Sequence, residues 1–275
     1  MTPIVFISGK AGSGKDTLAA LIKERAPTTV CIAQADPLKR FAAQIFQFTE
    51  EQLWGPSECR NALDERFIPG STQWHKARRL VAVYAYSWMA ECGLRATGAR
   101  GSQEKVLLWL EKLEQVSGGN LSPRIALQHL GTEFGRALDP DVWVRYAVKT
   151  AKKLLAGGYR YERAIGLVKD AQAPIPALVV VTDGRFANEI LMSKMVGGFA
   201  VLVEGPGEGG AGPGLANHAS EAEMNKIPRW WYTDIVVNDK AAGLEPLRST
   251  ARGLVEKFLP SPTHWSRGHM SPVCD

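Results

Sequence analysis

Nine residues near the N-terminus combine glycine, lysine, hydroxyl and acidic side chains in a pattern suited to binding phosphates. The run Gly9-Lys10-Ala11-Gly12-Ser13-Gly14-Lys15-Asp16-Thr17 follows the apolar segment Pro3–Ser8 and opens a helical pattern. Glycines let the backbone turn tightly and direct consecutive N–H groups at phosphate oxygens, and a helix N-terminus adds partial positive charge. Lys15 would bridge the β- and γ-phosphates of a nucleoside triphosphate. The run therefore predicts a phosphate-binding loop (P-loop, Walker A) that binds ATP through residues 10–17.

The residue after the lysine of this loop departs from the usual pattern. In P-loop proteins a serine or threonine follows the lysine and contacts Mg²⁺. Here Asp16 follows the lysine and Thr17 comes next. Either side chain could face the metal, directly or through water.

A second acid ends the apolar run Ala177–Thr182. Ligands of parallel sheets gather beyond the carboxyl ends of the strands, so Asp183 lies where a carboxylate could orient Mg²⁺ or its waters. Arg185 could pair with a phosphate through its forked guanidinium. The alternative is that Asp183 and Asn188 only cap the next helix. Beside the glycine loop, the pattern favours a metal site that includes Asp16, Thr17 and Asp183.

Two further segments could bind a second ligand. Asp36 follows another apolar run, Thr29–Ala33, and should face the same crevice. In the stretch 130–143, Arg136 could hold a phosphate and Phe134 or Trp143 could stack on a base. The helical pattern by itself favours Trp143 as a core residue of the helix that it begins.

An α/β fold is predicted to position these side chains. The apolar, β-branched runs are typical of buried parallel strands, and a helical pattern over Asp16–Arg25 separates the first two. The predicted strands are Pro3–Ser8, Thr29–Ala33, Ala177–Thr182, Phe199–Val203 and Asp234–Val237. We therefore expect a P-loop NTPase fold with a five-stranded parallel sheet flanked by helices.

A long segment between the second and third strands, residues 37–176, has helical periodicity. Its predicted helices are Leu38–Phe48, Gln73–Gly93, Gln103–Val116, Pro123–Gly135 and Asp141–Leu155. We expect a core of residues 1–36 and 177–258, and a helical insertion, 37–176, that grips and covers an acceptor or else only packs against the core. Gly205–Gly214 is predicted to be a flexible loop, and residues 259–275 a tail.

Composition narrows the classes of protein. The net charge of +5 and pI near 9.0 suit a polyanionic ligand such as nucleotide phosphates or a nucleic acid, or simply reflect a basic surface. No apolar run reaches the roughly 18 residues of a membrane span. The four cysteines are scattered, which indicates reduced thiols rather than disulfides or a zinc site. We expect a cytoplasmic protein without a signal peptide.

Five segments in order resemble the deoxynucleoside monophosphate kinases of T-even bacteriophages: ISGKAGSGKDTLA, ADPLKR, LQHLGTEFGRALDPDVWV, DGRFANE and HASE. The resemblance extends from Ile4 to about Asn238 and is loose over residues 56–120. It implies ATP and Mg²⁺ as co-substrates, a deoxynucleotide acceptor, and a homodimer in the cytoplasm of an infected cell. The acceptor-site residues that it implies are Asp36, Lys39, Arg60, Arg66, Arg136, Asp141, Trp143, Asp183 and Arg185.

The expected catalytic set is Lys15, Arg136, Asp183 and Arg185. The sequence departs from the family pattern at Glu204, where a basic residue would be expected near adenine. His218 of HASE is expected to be a structural hydrogen-bonding residue and not a catalytic one.

A nucleoside monophosphate is largely a dianion at neutral pH, because its second pKa lies near ~6. Its oxygen needs no general base, so transfer reduces to alignment and charge neutralisation. The predicted reaction moves the γ-phosphate of ATP to a dNMP. One alternative is a kinase for a hydroxyl of a nucleoside or of 5-hydroxymethylpyrimidine in phage DNA, for which Asp36 could be the base. Another is a module that binds ATP without transferring phosphate.

Overall fold

Short apolar runs form the strands of the computed structural model, which describes residues 2–10, 12–94, 98–205 and 223–259. The strands are β1 (Ile4–Ser8), β2 (Val30–Ala33), β3 (Tyr159–Glu162), β4 (Gly166–Lys169), β5 (Val179–Gly184), β6 (Phe199–Glu204) and β7 (Asp234–Val237). Five of them form a sheet in the order β2-β5-β1-β6-β7, and every neighbouring pair is parallel. The predicted five-stranded parallel sheet is confirmed.

Helices connect these strands and fill most of the segment between β2 and β5. They are α1 (Lys15–Arg25), α2 (Asp36–Phe46), α3 (Glu50–Trp54), α4 (Ser57–Asn61), α5 (Thr72–Cys92), α6 (Gly98–Val116), α7 (Pro123–His129), α8 (Val142–Leu155), α9 (Ala187–Met195) and α10 (Glu245–Phe258). A π-helical segment, Leu130–Arg136, continues α7, and short 3₁₀ turns occupy Arg229–Trp231 and Lys240–Ala242.

Alternate side chains of the strands pack against helices on opposite faces of the sheet. Val5 and Ile7 lie in one core with residues of α1 and α10, whereas Ile4 and Phe6 lie in another with residues of α8. This alternation follows from the pleat of a strand, and parallel sheets normally have both faces covered. The architecture is α/β and consistent with a P-loop NTPase-like fold.

The helices between β2 and β5 have a hydrophobic core of their own, centred on aromatic rings. The ring of Phe46 in α2 lies 5.2 Å from that of Phe48, 5.6 Å from Phe67 and 6.3 Å from Trp74, measured between centroids. Such edge-on and tilted contacts suit the quadrupoles of aromatic rings. This core holds the helices beside the carboxyl edge of the sheet; the predicted boundaries of the insertion, 37–176, stay a prediction.

A β-hairpin follows the last predicted helix of the segment 37–176, where no strand was predicted. Strands β3 and β4 pair antiparallel between α8 and β5, with Tyr159 opposite Lys169 and Glu162 opposite Gly166. The strands have four residues each, too few for a periodic signal to stand out from the surrounding helical pattern.

Two predicted segments fall largely outside the described residues: the glycine-rich loop after Gly205, and the tail from residue 260. Within the ranges that the structure covers, no helix combines the length and apolarity needed to span a bilayer.

Two aromatic residues of α5 provide a test of the helical core. Trp74 is 1% exposed and donates a hydrogen bond to the carbonyl of Gly119, whereas Tyr86 is 53% exposed. We expect Trp74→Ala to lower the free energy of unfolding by about 3–5 kcal/mol. Tyr86→Ala should change it by less than about 0.5 kcal/mol. Urea unfolding of both variants checks this, and equal losses would contradict the assigned core.

Candidate functional site

The carboxyl ends of β2 and β5 and the start of α1 border one cavity of about 800 Å³. Its other walls come from α2, α3, α4, α7, the π-helical segment and the turn between β3 and β4. Ligand pockets commonly have volumes of roughly 300–1,000 Å³, so the space suits ligands of nucleotide size. The helical core and the sheet thus jointly enclose a site at the sheet edge where the sequence predicted one.

The glycine loop connects β1 to α1, and its backbone shape leaves no room for a side chain at Gly14. Gly14 has a left-handed backbone, φ 96°, and a Cβ there would lie 2.2 Å from Nδ2 of Asn238. That Asn238 amide donates a hydrogen bond of 2.9 Å to the carbonyl of Ser13. The Oγ atom of Ser13 is buried without a hydrogen-bond partner among the described residues. A tight glycine loop at the start of a helix fits the binding of phosphate oxygens.

Lys15 and Asp16 both line the cavity, and Thr17 is exposed and does not line it. Lys15 is 6% exposed, and its Nζ lies 3.6 Å from Oδ2 of Asp16. Of the two residues predicted as metal-facing in this loop, the structure therefore places Asp16 in the cavity. Lys10 is exposed outside the lining, and Ala11 lies outside the described residues.

A bulge in β5 places Asp183 at the cavity. Phe6 pairs with Val181 but Ser8 pairs with Gly184, so Thr182 and Asp183 together stand opposite Ile7. Asp183 has a left-handed backbone, φ 69°, which costs free energy for a residue with a Cβ. Burial lowers the pKa of the nearby Lys39 ammonium, and the Asp183 carboxylate opposes this shift.

The cavity could hold Mg²⁺ only with help from a bound phosphate. Among the described residues, no three His, Cys, Asp or Glu side chains form a cluster able to hold a metal ion. Mg²⁺ in nucleotide sites is held by one or two carboxylates together with phosphate oxygens and water. Asp16 and Asp183, both in the lining, fit that arrangement.

Arg136 and Arg185 meet at the start of α9. Glu189, buried in this helix, accepts hydrogen bonds from the backbone N–H groups of Arg185 at 2.6 Å and Phe186 at 3.1 Å. The guanidinium of Arg136 lies 3.5 Å from the Phe186 ring centroid, and its Nη1 lies 3.4 Å from Oε1 of Glu189. Burial raises the pKa of the Glu189 carboxyl, while those backbone N–H groups lower it. Glu189 therefore holds both the backbone at Arg185 and the side chain of Arg136.

Lys39, in α2, lies among charges of both signs in the cavity lining. The pKa of Lys39 is lowered, mainly by burial. The carboxylates of Asp183 and Asp36 oppose this shift, and the guanidiniums of Arg60 and Arg163 add to it. All five side chains line the cavity. An anion bound here would relieve the repulsion among the three cations.

Asp36 is 3% exposed, and both of its carboxylate oxygens accept hydrogen bonds. Oδ1 accepts from Nε1 of Trp54 at 3.0 Å. Oδ2 accepts from the hydroxyl of Tyr161 at 2.7 Å and from the N–H of Ala33 at 3.1 Å. Asp36 thus ties α2 to α3 and to the β3–β4 hairpin.

Two predicted acceptor residues lie outside the cavity lining. Arg66 forms an ion pair with Asp64, with Nη2 and Oδ2 2.6 Å apart. Asp141 accepts a 2.6 Å hydrogen bond from Asn188 and so supports the start of α9.

Trp143 is 5% exposed and donates a hydrogen bond to the carbonyl of Gly131, so it is a core residue whose edge reaches the lining. Glu204 pairs with Arg229 at 2.8 Å, and His218 lies outside the described residues.

Four residues of the site carried no local signal in the sequence: Trp54, Tyr161, Arg163 and Asn238. Asn238 follows the end of β7, so its position at a strand tip could have identified it. The other three are brought to the site by α3 and by the hairpin, whose placement depends on contacts between distant segments.

Comparison with known proteins finds a distant relative of this chain. No protein-family model matches the chain. A protein of Acanthamoeba polyphaga mimivirus, named "Putative deoxynucleotide monophosphate kinase", is 22% identical over 240 residues, which cover 86% of this chain and 89% of that protein.

The left-handed backbone of Asp183 can be tested separately from its carboxylate. Asp183→Gly and Asp183→Ala both remove the carboxylate, but only alanine keeps a Cβ that opposes a positive φ. We expect the glycine variant to be more stable than the alanine variant by about 1–2 kcal/mol in urea unfolding. Equal stability would show that the bulge does not strain this residue.

Proposed function

We propose that this protein is an ATP-dependent deoxynucleoside monophosphate kinase that converts a dNMP to the dNDP. The observation that carries the proposal is that Lys15 of the glycine loop shares one cavity with Lys39, Arg60, Arg136 and Arg185. A protein that only bound ATP would need a single phosphate-binding set. Here Lys15 of the glycine loop and a second group of cations line the same cavity. This arrangement suits two phosphorylated ligands whose charges must be brought together.

The donor triphosphate would bind at the glycine loop. Backbone N–H groups at the start of α1, together with the buried Lys15, would hold the β- and γ-phosphates. When bound, Mg²⁺ would neutralise charge on the phosphates, held by Asp16 and Asp183 with phosphate oxygens and water.

The acceptor monophosphate would bind against the cations of α2 and α4. Its oxygen attacks the γ-phosphorus, the bond from that phosphorus to the β,γ-bridging oxygen breaks, and ADP leaves. The chain's own task is to align the two phosphates and to neutralise their charge. Arg136, fixed by Phe186 and Glu189, lies where it could follow the transferring group.

The state of Asp36 argues against a hydroxyl as the acceptor. A hydroxyl acceptor needs a carboxylate base within hydrogen-bond reach. Both Asp36 oxygens already accept hydrogen bonds from Trp54, Tyr161 or Ala33. A monophosphate needs no such base, and this supports the proposal of a monophosphate acceptor. The name of the mimivirus relative agrees with this acceptor.

The central role of Lys15 can be tested with a matched variant on the same helix. Lys15→Ala removes the cation expected to stabilise the transferring phosphoryl group, and we expect it to lower kcat by at least about 10³-fold. Lys23→Ala, exposed near the end of α1, should retain full activity and is the control. Radiolabelled ATP assays with circular dichroism check both. Retained turnover in a folded Lys15→Ala protein would contradict the proposal.

The acceptor can be identified by a screen with ATP and Mg²⁺ against each dNMP, each deoxynucleoside and DNA containing 5-hydroxymethylpyrimidine. We expect labelled dNDP from at least one dNMP and no label on deoxynucleosides or DNA. Label on DNA alone would favour the hydroxyl kinase. ATP binding without any labelled product would favour a non-catalytic nucleotide-binding module.

Asp36→Asn separates a structural from a basic role. If Asp36 only ties α2 to α3 and the hairpin, kcat for the dNMP should fall by less than about tenfold, because no proton has to be removed. A general base would instead cost about 10²–10⁴-fold in kcat. The pH dependence of kcat supplies the control, since loss of a base would also remove its acidic limb.

A further inference from the structure

The turn of the β3–β4 hairpin brings Arg163 to the acceptor end of the cavity. We propose that Arg163 is a third cation for the acceptor phosphate, beside Lys39 and Arg60, and that the hairpin gives the site its preference for a nucleoside monophosphate over the free nucleoside. This inference rests on the proposed function and names a residue that the sequence motifs do not contain.

Two hydrogen bonds from side chains fix the hairpin against α2. Arg40, buried in that helix, donates through Nη1 to the backbone carbonyl of Arg163 at 3.0 Å. Its Nη2 is held by the Tyr146 hydroxyl at 2.6 Å and by Oε1 of Glu91 at 2.5 Å. The Tyr161 hydroxyl donates to Asp36 at 2.7 Å. The backbone of the turn is therefore anchored at Arg163, whereas the side chain of Arg163 is more than half exposed.

Arg163 and Lys39 both lie close to the ring of Trp54. The Cζ atom of Arg163 is 5.8 Å from the ring centroid and Nζ of Lys39 is 5.6 Å from it. A cation can be held over an aromatic ring without a counter-ion. Because Trp54 is itself bonded to Asp36, the two cations are set at fixed places around one anchored ring.

The position of Arg163 suits the capture of a mobile anion. Its Nη2 lies 2.5 Å from Oε1 of Glu50, and both side chains are more than half exposed. Ion pairs at such exposed positions are weak. A phosphate dianion held at the same time by Lys39 and Arg60 offers a stronger partner, because a guanidinium can donate two parallel hydrogen bonds to it. Glu50 would then release Arg163 when the acceptor binds.

This arrangement predicts selectivity for the phosphate. A nucleoside has no charge for the three cations, so their mutual repulsion would remain when it binds. A monophosphate would remove that repulsion and gain the charge-assisted hydrogen bonds. The contribution of Arg163 should therefore appear with the dNMP and vanish with the deoxynucleoside.

The test uses Arg163→Ala with Arg160→Ala as its matched control. Arg160 stands on the same hairpin, is exposed, pairs with Glu162 and Asp170, and is not in the cavity lining. Isothermal titration calorimetry measures the Kd of dGMP, dTMP, dCMP and dAMP, each against its deoxynucleoside. For any dNMP that binds, Arg163→Ala should raise Kd about 10- to 100-fold, the scale of a lost charge-assisted hydrogen bond. Its deoxynucleoside should change less than about twofold, and Arg160→Ala should match the wild type.

Arg163→Lys controls for misfolding, because it keeps the positive charge and removes only the bidentate guanidinium. This variant should bind the dNMP with intermediate affinity. Equal dNMP affinity in wild type and Arg163→Ala would overturn the role of Arg163 while leaving the kinase proposal intact. An equal loss for dNMP and deoxynucleoside would also overturn it, since that pattern marks a purely structural residue. A wild-type protein that binds no dNMP would remove the kinase proposal and this inference together.

Discussion

Positive charge gathered at the carboxyl edge of one parallel sheet is the feature on which the rest of the site depends. Lys15, Lys39, Arg60, Arg136 and Arg185 all line a single cavity, together with Arg163 from the hairpin. Without a bound anion such a cluster raises the free energy of the folded protein, because like charges in a partly buried site repel. The acids beside it have a matching role: Glu189 accepts hydrogen bonds from the segment that carries Arg185, and Asp36 ties together the segments that carry Lys39 and Arg163. Both carboxylates thus support segments that carry cations.

The fold explains how residues far apart in the chain reach this edge. In a parallel sheet all carboxyl ends point the same way, so the glycine loop after β1 and Asp183 at the end of β5 meet there. The bulge in β5 turns Asp183 toward the cavity at a cost in backbone strain. The helical core performs the complementary task, since its hydrophobic cluster includes residues of α2 and α3 and holds these helices beside the sheet. The sheet side and the helical side of the cavity are thereby carried by separate hydrophobic cores.

The parts of the structure that could be predicted from sequence are those with a local signal. The strands were recognisable because buried parallel strands are continuous apolar runs, and the loop from Gly9 to Thr17 because glycines, lysine and helix start are adjacent in sequence. The hairpin was missed because its strands have only four residues each, and its place beside Asp36 depends on a bond from Tyr161 across 125 positions. Asn238 likewise bonds Ser13 across 225 positions. Arg66 looked equivalent to Arg60, but Asp64, two positions away, pairs with it at 2.6 Å and it does not reach the cavity lining. Residue type alone carries no information about such a competing neighbour.

The central claim is that a donor triphosphate and an acceptor monophosphate occupy this cavity together. The most direct measurement is the binding of a bisubstrate analogue, adenosine joined to a deoxynucleoside through a pentaphosphate, by calorimetry. We expect one analogue per chain, displacement by either ATP or dNMP, and an affinity at least about 10²-fold above that of the tighter single ligand, since joining two bound groups makes the second contact intramolecular. An analogue that binds no better than ATP, or that dNMP fails to displace, would contradict a shared cavity.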